Sequence, residues 1–239
     1  MFEKINNLRM LRKHSFNVPR FIVVSSENDK AIDKLKQNKK YVVRTASCLE
    51  DKIDYSYAGV FKTELNIPYS KLKETIKHLS RSQIGFINVY TAKKETMRDL
   101  KFIVQEMVDG DYSGTAFSIN PYTLSNEIVI ETVYGLNEGL TSGEISPDMI
   151  IVREKNTIYN LKHQFEKYVC NSEEGIQIIP VETMNQSRHK LSEEMIVTIS
   201  KTITRIKPFF NTPFEIEWTV KNNRLYVLQA RNITKVEEK

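Results

Sequence analysis

Two strand-like segments at the end of the chain carry the residue types that suit a metal and phosphate site. In the first, FEIEW, strand alternation places Glu215 and Glu217 on one face. In the second, LYVLQAR, Gln229 and Arg231 share a face. Carboxylate and amide oxygens are ligands that Mg²⁺ prefers, and an arginine forks onto phosphate oxygens. If these faces coincide, the pair could hold a hard cation and a polyphosphate.

The register between the two strands decides whether these side chains meet. A two-residue Asn-Asn turn would pair Glu217 with Leu228 and direct Gln229 to the opposite face. An odd loop or a β-bulge would instead pair Glu217 with Gln229, and Glu215 would then lie opposite Arg231. The alternative is an exposed sheet face with a Glu–Arg ion pair worth under about 1 kcal/mol. The pattern alone leaves both interpretations open.

A second candidate stretch combines an arginine with small and hydroxyl residues. Arg44 ends a strand-like run and is followed by Thr45, Ala46 and Ser47. Small side chains leave backbone N–H groups able to approach anionic oxygens. Gly59 likewise permits a close approach of the backbone. Each pattern alone is also typical of an ordinary surface.

The elements that must position these residues alternate between strand and helix patterns. Apolar residues at helical spacing predict helices after Ser70 and after Ser192, residues that suit the N-cap position. β-branched and aromatic runs predict strands at 21–24, 41–43, 102–108, 127–133, 148–153, 157–161, 214–220 and 224–230. We therefore expect an α+β chain, with a helix-rich N-terminal lobe at 1–102 and a sheet-rich lobe at 103–239. A cleft between two lobes is a usual place for a ligand.

Composition excludes several classes of function. The 239 residues are 40% apolar and 27% charged, as in ordinary soluble proteins. The net charge of +5 is too small and too dispersed to indicate a nucleic-acid partner. No apolar run reaches the ~18 residues of a membrane span, and the N-terminus resembles no secretory signal, so we expect no membrane partner and a cytoplasmic location. The two cysteines lack the spacing of a zinc site.

Motifs of several common enzyme classes are missing from the sequence. It contains no GxxxxGK[ST] phosphate loop, no GxGxxG after a strand, and neither GxSxG nor HExxH. The four histidines are scattered, and none lies in a recognisable nucleophile context.

Taken in order, the chain's motifs resemble the ATP-binding domain of phosphoenolpyruvate synthase, pyruvate phosphate dikinase and rifampin phosphotransferase. The resemblance covers about residues 41–234 and implies an ATP-grasp-type fold. The motifs are VRTAS with a following YAG, VQEMV, SGTAFSINP, YGLNEG with a later SG and PD, and EIEW with LQAR. Five motifs in the family's order are far more specific than any one of them.

The resemblance implies a role for each matching residue in a site for ATP and Mg²⁺. Arg44 and Arg231 would grip the phosphates, and Glu217 and Gln229 would ligate Mg²⁺. Glu215 stands where the family has aspartate and is a candidate for the metal or phosphate shell. The remaining implied nucleotide contacts are Lys4 at the family's phosphate lysine, Gly59 and Thr63 in the covering loop, Gln105, Glu106, Met107 and Val108 beside the adenine, and Ser118 and Glu138.

The chain departs from this family in what surrounds the nucleotide domain. The glycines that flank the N-terminal lysine are replaced, and the helical insert before the arginine motif is shortened to Ser25–Lys40. No swivelling histidine domain and no acceptor domain fit in this length. We therefore expect a Mg²⁺-dependent phosphotransferase module whose acceptor is a small molecule or a histidine on a partner chain. The alternatives are an ATP-grasp ligase that forms an acyl phosphate, and a non-catalytic nucleotide-binding subunit of a split dikinase.

Overall fold

The structure, a computed structural model, describes residues 2–47, 62–91 and 100–233, without the side chains of 84–91. Its helices are α1 (Glu3–Lys13), α2 (Leu72–Thr91), α3 (Glu138–Thr141) and α4 (Glu193–Ile206). Its strands are β1 (Phe21–Val24), β2 (Lys40–Ser47), β3 (Thr63–Pro68), β4 (Leu100–Glu106), β5 (Tyr112–Phe117), β6 (Ile128–Tyr134), β7 (Asp148–Val152), β8 (Thr157–Asn160), β9 (Glu166–Cys170), β10 (Ile176–Pro180), β11 (Phe214–Lys221) and β12 (Arg224–Asn232). The predicted α+β class and all of the predicted strands are confirmed.

The chain forms two compact units that are not contiguous in sequence. The first contains Met1–Asn6, Pro19–Met107 and Cys170–Ile176, and the second contains Asn7–Val18, Val108–Val169 and Gln177–Lys239. The lobe limits predicted at residues 102 and 103 stay a prediction. No helix in the described part of the chain is long and apolar enough to cross a bilayer.

The first unit is built on a four-stranded antiparallel sheet with the strand order β1-β4-β2-β3. One face of this sheet carries Tyr41 and Val43, which pack with Leu72 and Ile76 of helix α2. In its described part the unit thus combines a sheet with helix α2, and the expected helix-rich character of residues 1–102 stays a prediction. Ser70, predicted as the N-cap of α2, lies instead inside a 3₁₀ turn that precedes the helix.

The second unit is built on a six-stranded sheet with the strand order β12-β11-β5-β6-β7-β8. Helix α4 covers one face of it, because Ile199 and Ile203 lie on one side of the helix and share a core with Ile216 and Trp218. The Ser192 hydroxyl accepts a hydrogen bond from the Met195 amide at 3.2 Å, so the predicted N-cap is confirmed. The other face of the sheet is left to carry polar residues.

Candidate functional site

A tight turn joins the two C-terminal strands. Lys221 pairs with Arg224 across two asparagines, Asn222 and Asn223, whose φ angles are 51° and 57°. Positive φ at both central residues is typical of a type I′ turn, which matches the twist of the strands that it connects. Continued regularly from this turn, the pairing would place Leu228 opposite Glu217.

A β-bulge changes this register. The pairing shifts between Glu217 and Trp218, so that Trp218 lies opposite Val227 and Glu217 lies opposite Gln229. Leu228 is the extra residue on the second strand. The β-bulge that is required for Glu217 and Gln229 to lie on the same face of the sheet is therefore present.

The bulge has a clear physical reason in the core beneath it. Without it, Gln229 would lie opposite Ile216 and Arg231 opposite Phe214, and both polar side chains would enter the apolar core. Burying an unpaired amide or guanidinium is costly. With it, Ala230 lies opposite Ile216 and joins that core.

Glu215 and Arg231 form an ion pair on the face away from the core. They lie opposite each other, and the Arg231 Nε donates to a Glu215 carboxylate oxygen. Burial raises the pKa of Glu215 above its usual range, while the Arg231 charge and hydrogen bond counteract this and Glu217 adds to it. The Arg231 side chain is 55% exposed, against 10% for Glu215. The Arg231 side chain therefore belongs to an ion pair and is still more than half exposed.

A third carboxylate, Glu131, lies on the same face of the sheet. Thr115 of β5 pairs with Glu217 on one side and with Glu131 on the other. The Tyr122 hydroxyl donates to Glu131 Oε1 at 2.8 Å. Burial raises the pKa of Glu131, and the charge of Glu215 adds to this. Glu131 is not among the residues predicted from the sequence, although a carboxylate inside the apolar run VIETV was a usable signal.

We expect Glu131→Gln to be more stable than the unmodified protein at neutral pH. The raised pKa means that ionised Glu131 opposes folding above its unfolded pKa of about 4.3. Glutamine removes the charge and keeps an acceptor for Tyr122. Thermal unfolding between pH 4 and pH 8 should show an advantage that shrinks as the pH falls.

Glu127→Gln is the matched control with the opposite sign. Hydrogen bonds from Asn120, Ser125 and Arg153 lower the pKa of Glu127 to about 2. Its ionised form therefore favours folding above the unfolded pKa, and the variant should lose stability at pH 7 and less so in acid. The same sign for both variants would contradict this account.

Ser118 has a structural hydrogen bond at the edge of the site. Its hydroxyl accepts from the Phe214 amide at 2.9 Å, and its own amide donates to the Phe214 carbonyl at 2.9 Å. The residue therefore joins the end of β5 to the start of β11. A role of Ser118 in nucleotide binding stays a prediction.

Ser118→Ala is expected to destabilise the protein by about 1–3 kcal/mol, since it leaves the buried Phe214 amide without its acceptor. Chemical denaturation measures this loss. Ser200→Ala serves as the control, because its hydroxyl only supplements the helix by donating to the Ile196 carbonyl at 2.8 Å. Unchanged stability in Ser118→Ala, with ATP affinity reduced more than about tenfold, would show that the hydroxyl serves a ligand instead.

Three candidate residues of the first unit share one face of its sheet. Arg44 pairs with Thr63 on β3 and with Ile103 on β4, and Gln105 lies two residues further along β4. This face is opposite the one that carries Val43 and packs on helix α2. The structure thus brings Arg44, Thr63 and Gln105 onto one surface, as a shared binding role requires.

The remaining candidate residues lie at separate positions in the structure. Glu106 ends the same strand and Met107 follows it, and their amides donate to the carbonyls of Arg20 and Lys40 at 2.8 and 2.9 Å. The others are Lys4 in helix α1, Val108 in the second unit, Glu138 at the start of α3, and Gly59, which lies outside the described residues. Glu138 interacts electrostatically with Tyr168.

The family to which the chain belongs follows from comparison with known proteins. Residues 7–239 match the model of the pyruvate phosphate dikinase AMP/ATP-binding domain. Because this match covers nearly the whole sequence, the chain belongs to that family. The α+β class predicted from the sequence is confirmed by the observed architecture, and the predicted family is confirmed by this match.

The relatives are longer proteins. The chain is 28% identical to a probable phosphoenolpyruvate synthase of Methanocaldococcus jannaschii over 82% of its length and 17% of that protein. It is 30% identical to the phosphoenolpyruvate synthase of Pyrococcus furiosus, covering 84% of this chain and 27% of the relative. It is 26% identical to the uncharacterized phosphotransferase YvkC of Bacillus subtilis, covering 95% and 29%. The chain thus spans less than a third of these curated relatives.

Similarity to solved structures is distant. An L-amino acid ligase from Bacillus licheniformis shares 14% identity at a TM-score of 0.47, over 95% of this chain and 42% of the ligase. A D-alanine–D-alanine ligase from Bacillus anthracis, in complex with ATP, shares 11% at 0.45, over 97% and 56%.

The donor set of the C-terminal pair fits the Mg²⁺ that the family resemblance implies. Glu217 and Gln229, directly opposite each other, offer a carboxylate and an amide oxygen, both of which suit a hard cation. Across the described ranges, no group of three His, Cys, Asp or Glu side chains forms a metal cage. Mg²⁺ needs only a few protein ligands, because it keeps water molecules and substrate phosphates in its coordination shell.

Proposed function

We propose that this protein is a Mg²⁺-dependent ATP-binding module that transfers a phosphoryl group from ATP to an acceptor. The observation that carries the proposal is the bulge at Leu228, which pairs Glu217 with Gln229 and Glu215 with Arg231 on the non-core face. A metal and phosphate site required these four side chains to share one face, and this pairing supports that interpretation. Membership of an AMP/ATP-binding family supports the identity of the ligand.

Glu217 and Gln229 would hold Mg²⁺, which supplies positive charge to the phosphate oxygens. Arg231 is suited to contact a phosphate because its side chain is more than half exposed and Glu215 restrains its orientation. Rate enhancement in phosphoryl transfer comes mainly from positioning and electrostatic stabilisation. The paired carboxylate and amide and the restrained arginine are groups of that kind.

The first unit would contribute further contacts with the nucleotide. Arg44 would bind phosphate, with Thr63 opposite it and Gln105 on the same face. The full proposed set adds Lys4 and Gly59 at the phosphates, Glu106, Met107 and Val108 beside the adenine, and Ser118 and Glu138.

The acceptor would be a small molecule, or a histidine carried outside the matched domain. The support is that the relatives named phosphoenolpyruvate synthase are more than three times as long as the matched region. A partner chain with a phosphohistidine or substrate domain is therefore a reasonable candidate. A cytoplasmic location is proposed with it.

Phosphorus NMR of ATP incubated with the protein and Mg²⁺ tests the proposal. Candidate acceptors and a separately produced histidine-domain protein are added in parallel. AMP with phosphate indicates dikinase-type transfer, and ADP with a phosphorylated acceptor indicates a simple kinase. ADP with an amide product would replace the proposal with a ligase. ATP-dependent thermal stabilisation without turnover in any mixture would replace it with a non-catalytic nucleotide-binding subunit.

A further inference from the structure

The core face of the six-stranded sheet contains a row of polar side chains. Trp218, Gly114, Thr132 and Asp148 lie opposite one another in turn, across strands β11, β5, β6 and β7. Trp218 and Thr132 are 0% exposed, and Asp148 is 1% exposed. We call Trp218, Thr132 and Asp148 the polar row. It lies on the face opposite Glu217 and Glu131.

Each member of the polar row has a buried polar atom that makes no hydrogen bond to any described residue. These atoms are the indole Nε1 of Trp218, the hydroxyl oxygen of Thr132 and the Oδ2 of Asp148. Most buried polar groups in proteins are satisfied by protein or by ordered water. Three such atoms on side chains that follow each other across one sheet are therefore an unusual concentration.

Gly114 leaves room for the Trp218 indole within the polar row. A Cβ built on Gly114 would lie 2.8 Å from Cζ2 of Trp218 and 1.8 Å from the Glu131 carbonyl oxygen. The indole ring thus occupies the space above the glycine. Cζ2 is bonded to the carbon that carries Nε1, so the N–H edge of the ring lies over β5. Thr132 is on the next strand, and neighbouring strands are only about 4.8 Å apart.

The chemistry of the three atoms identifies the ligand. An indole N–H only donates a hydrogen bond, an ionised carboxylate only accepts one, and a hydroxyl does both. A metal cation would face the indole hydrogen, whereas a water molecule accepts from the indole and donates to the carboxylate. The other oxygen of Asp148 already accepts from Lys190 Nζ at 2.6 Å and from the Lys162 amide at 2.7 Å.

We propose that the polar row is an internal water site, in which one or two water molecules bridge Trp218, Thr132 and Asp148. Trp218 directly follows Glu217 in the chain, and Thr132 directly follows Glu131. The bridging water therefore connects the strand segments that carry Glu217 and Glu131 to the buried Asp148–Lys190 ion pair. It stands on the packing of the second unit and does not depend on the proposed function.

A crystal structure of the protein at about 1.5 Å resolution tests the site directly. We expect an ordered water within hydrogen-bond distance, up to about 3.2 Å, of at least two of the three atoms. An unbroken apolar contact between the indole and its neighbours, with no density in the row, would overturn the proposal.

Two substitutions at Thr132 give a second test with opposite expected signs. Thr132→Val keeps the shape and removes the hydroxyl. In a dry row it would be neutral or stabilising, because an unsatisfied hydroxyl is lost. With bound water it should lower the melting temperature by about 2–4 °C, the shift typical of losing one such interaction in a chain of this size. An equal or higher melting temperature counts against the water.

Thr132→Ser is the matched control because it keeps the hydroxyl and removes only the methyl group. Crystals of this variant should retain the bridging water, whereas crystals of Thr132→Val should lose it or show it displaced. Water retained in the same position in Thr132→Val would show that Thr132 is not one of its ligands and would overturn the three-residue site.

Discussion

Replacing Glu217 with alanine is expected to abolish the Mg²⁺-dependent part of ATP binding and to slow ATP turnover by at least about 100-fold. The substitution removes the only carboxylate from the pair that Glu217 forms with Gln229. A preorganised electrostatic group of this kind typically contributes ~10²–10³-fold when removed alone. Titration calorimetry with ATP, in Mg²⁺ and in EDTA, measures the first effect, and the rate at which the ATP signals disappear in phosphorus NMR measures the second.

Glu154→Ala is the control for this experiment. Glu154 is an exposed carboxylate in the turn between β7 and β8, remote in sequence from the bulge. Its removal changes the net charge by the same amount and should leave both ATP affinity and Mg²⁺ dependence unaltered. If Glu217→Ala keeps its Mg²⁺ dependence and its circular dichroism spectrum is unchanged, the metal assignment is refuted.

Replacing Lys190 with methionine is expected to destabilise the protein by about 3–5 kcal/mol. The Nζ of Lys190 lies 2.6 Å from Asp148 Oδ1, and the two side chains are 0% and 1% exposed. The same ammonium group donates to the Lys162 carbonyl at 3.2 Å. Methionine fills a similar volume but removes the positive charge that faces the buried Asp148 carboxyl group. A melting temperature lower by roughly 10 °C is the expected readout.

The exposed pair Lys221–Asp111 provides the comparison. Its nitrogen and oxygen are 2.8 Å apart, but the side chains are 38% and 41% exposed. Lys221→Met should therefore cost less than about 1 kcal/mol. Adding Asp148→Leu to Lys190→Met should recover part of the loss and not all of it, because the Lys162 amide also donates to Asp148 at 2.7 Å. Similar small losses for both lysines would contradict the buried-pair account.

Local pattern was sufficient for most of the secondary structure. Helix α4 was predictable because its apolar residues repeat at helical spacing and Ser192 precedes two glutamates that suit a helix N-terminus. Ser70 failed as a cap for a reason that is also local. Pro68 is in an extended conformation, and the chain makes a 3₁₀ turn over Tyr69–Lys71 before the α-helix begins at Leu72.

The sequence predicted the candidate site only on the condition that the register between β11 and β12 is irregular. Alternation placed Glu215 and Glu217 together within β11, but it left open whether Gln229 and Arg231 lie on the same face. Glu131 and Lys190 were missed for a related reason. Glu131 pairs with Thr115 on another strand and accepts from Tyr122 in a turn. Lys190 lies in a polar segment that looks like a surface loop until Asp148 is placed beside it.

The sequence by itself determined which side chains within one strand lie on the same face, as for Glu215 with Glu217 and for Gln229 with Arg231. Those properties follow from backbone geometry over a few neighbouring residues. Only the tertiary structure decided the bulge at Leu228, because register depends on which alternative keeps Gln229 and Arg231 out of the apolar core. The register depends on how whole faces of the sheet pack, and those faces are formed by side chains that are distant in sequence. A local sequence pattern therefore cannot predict it.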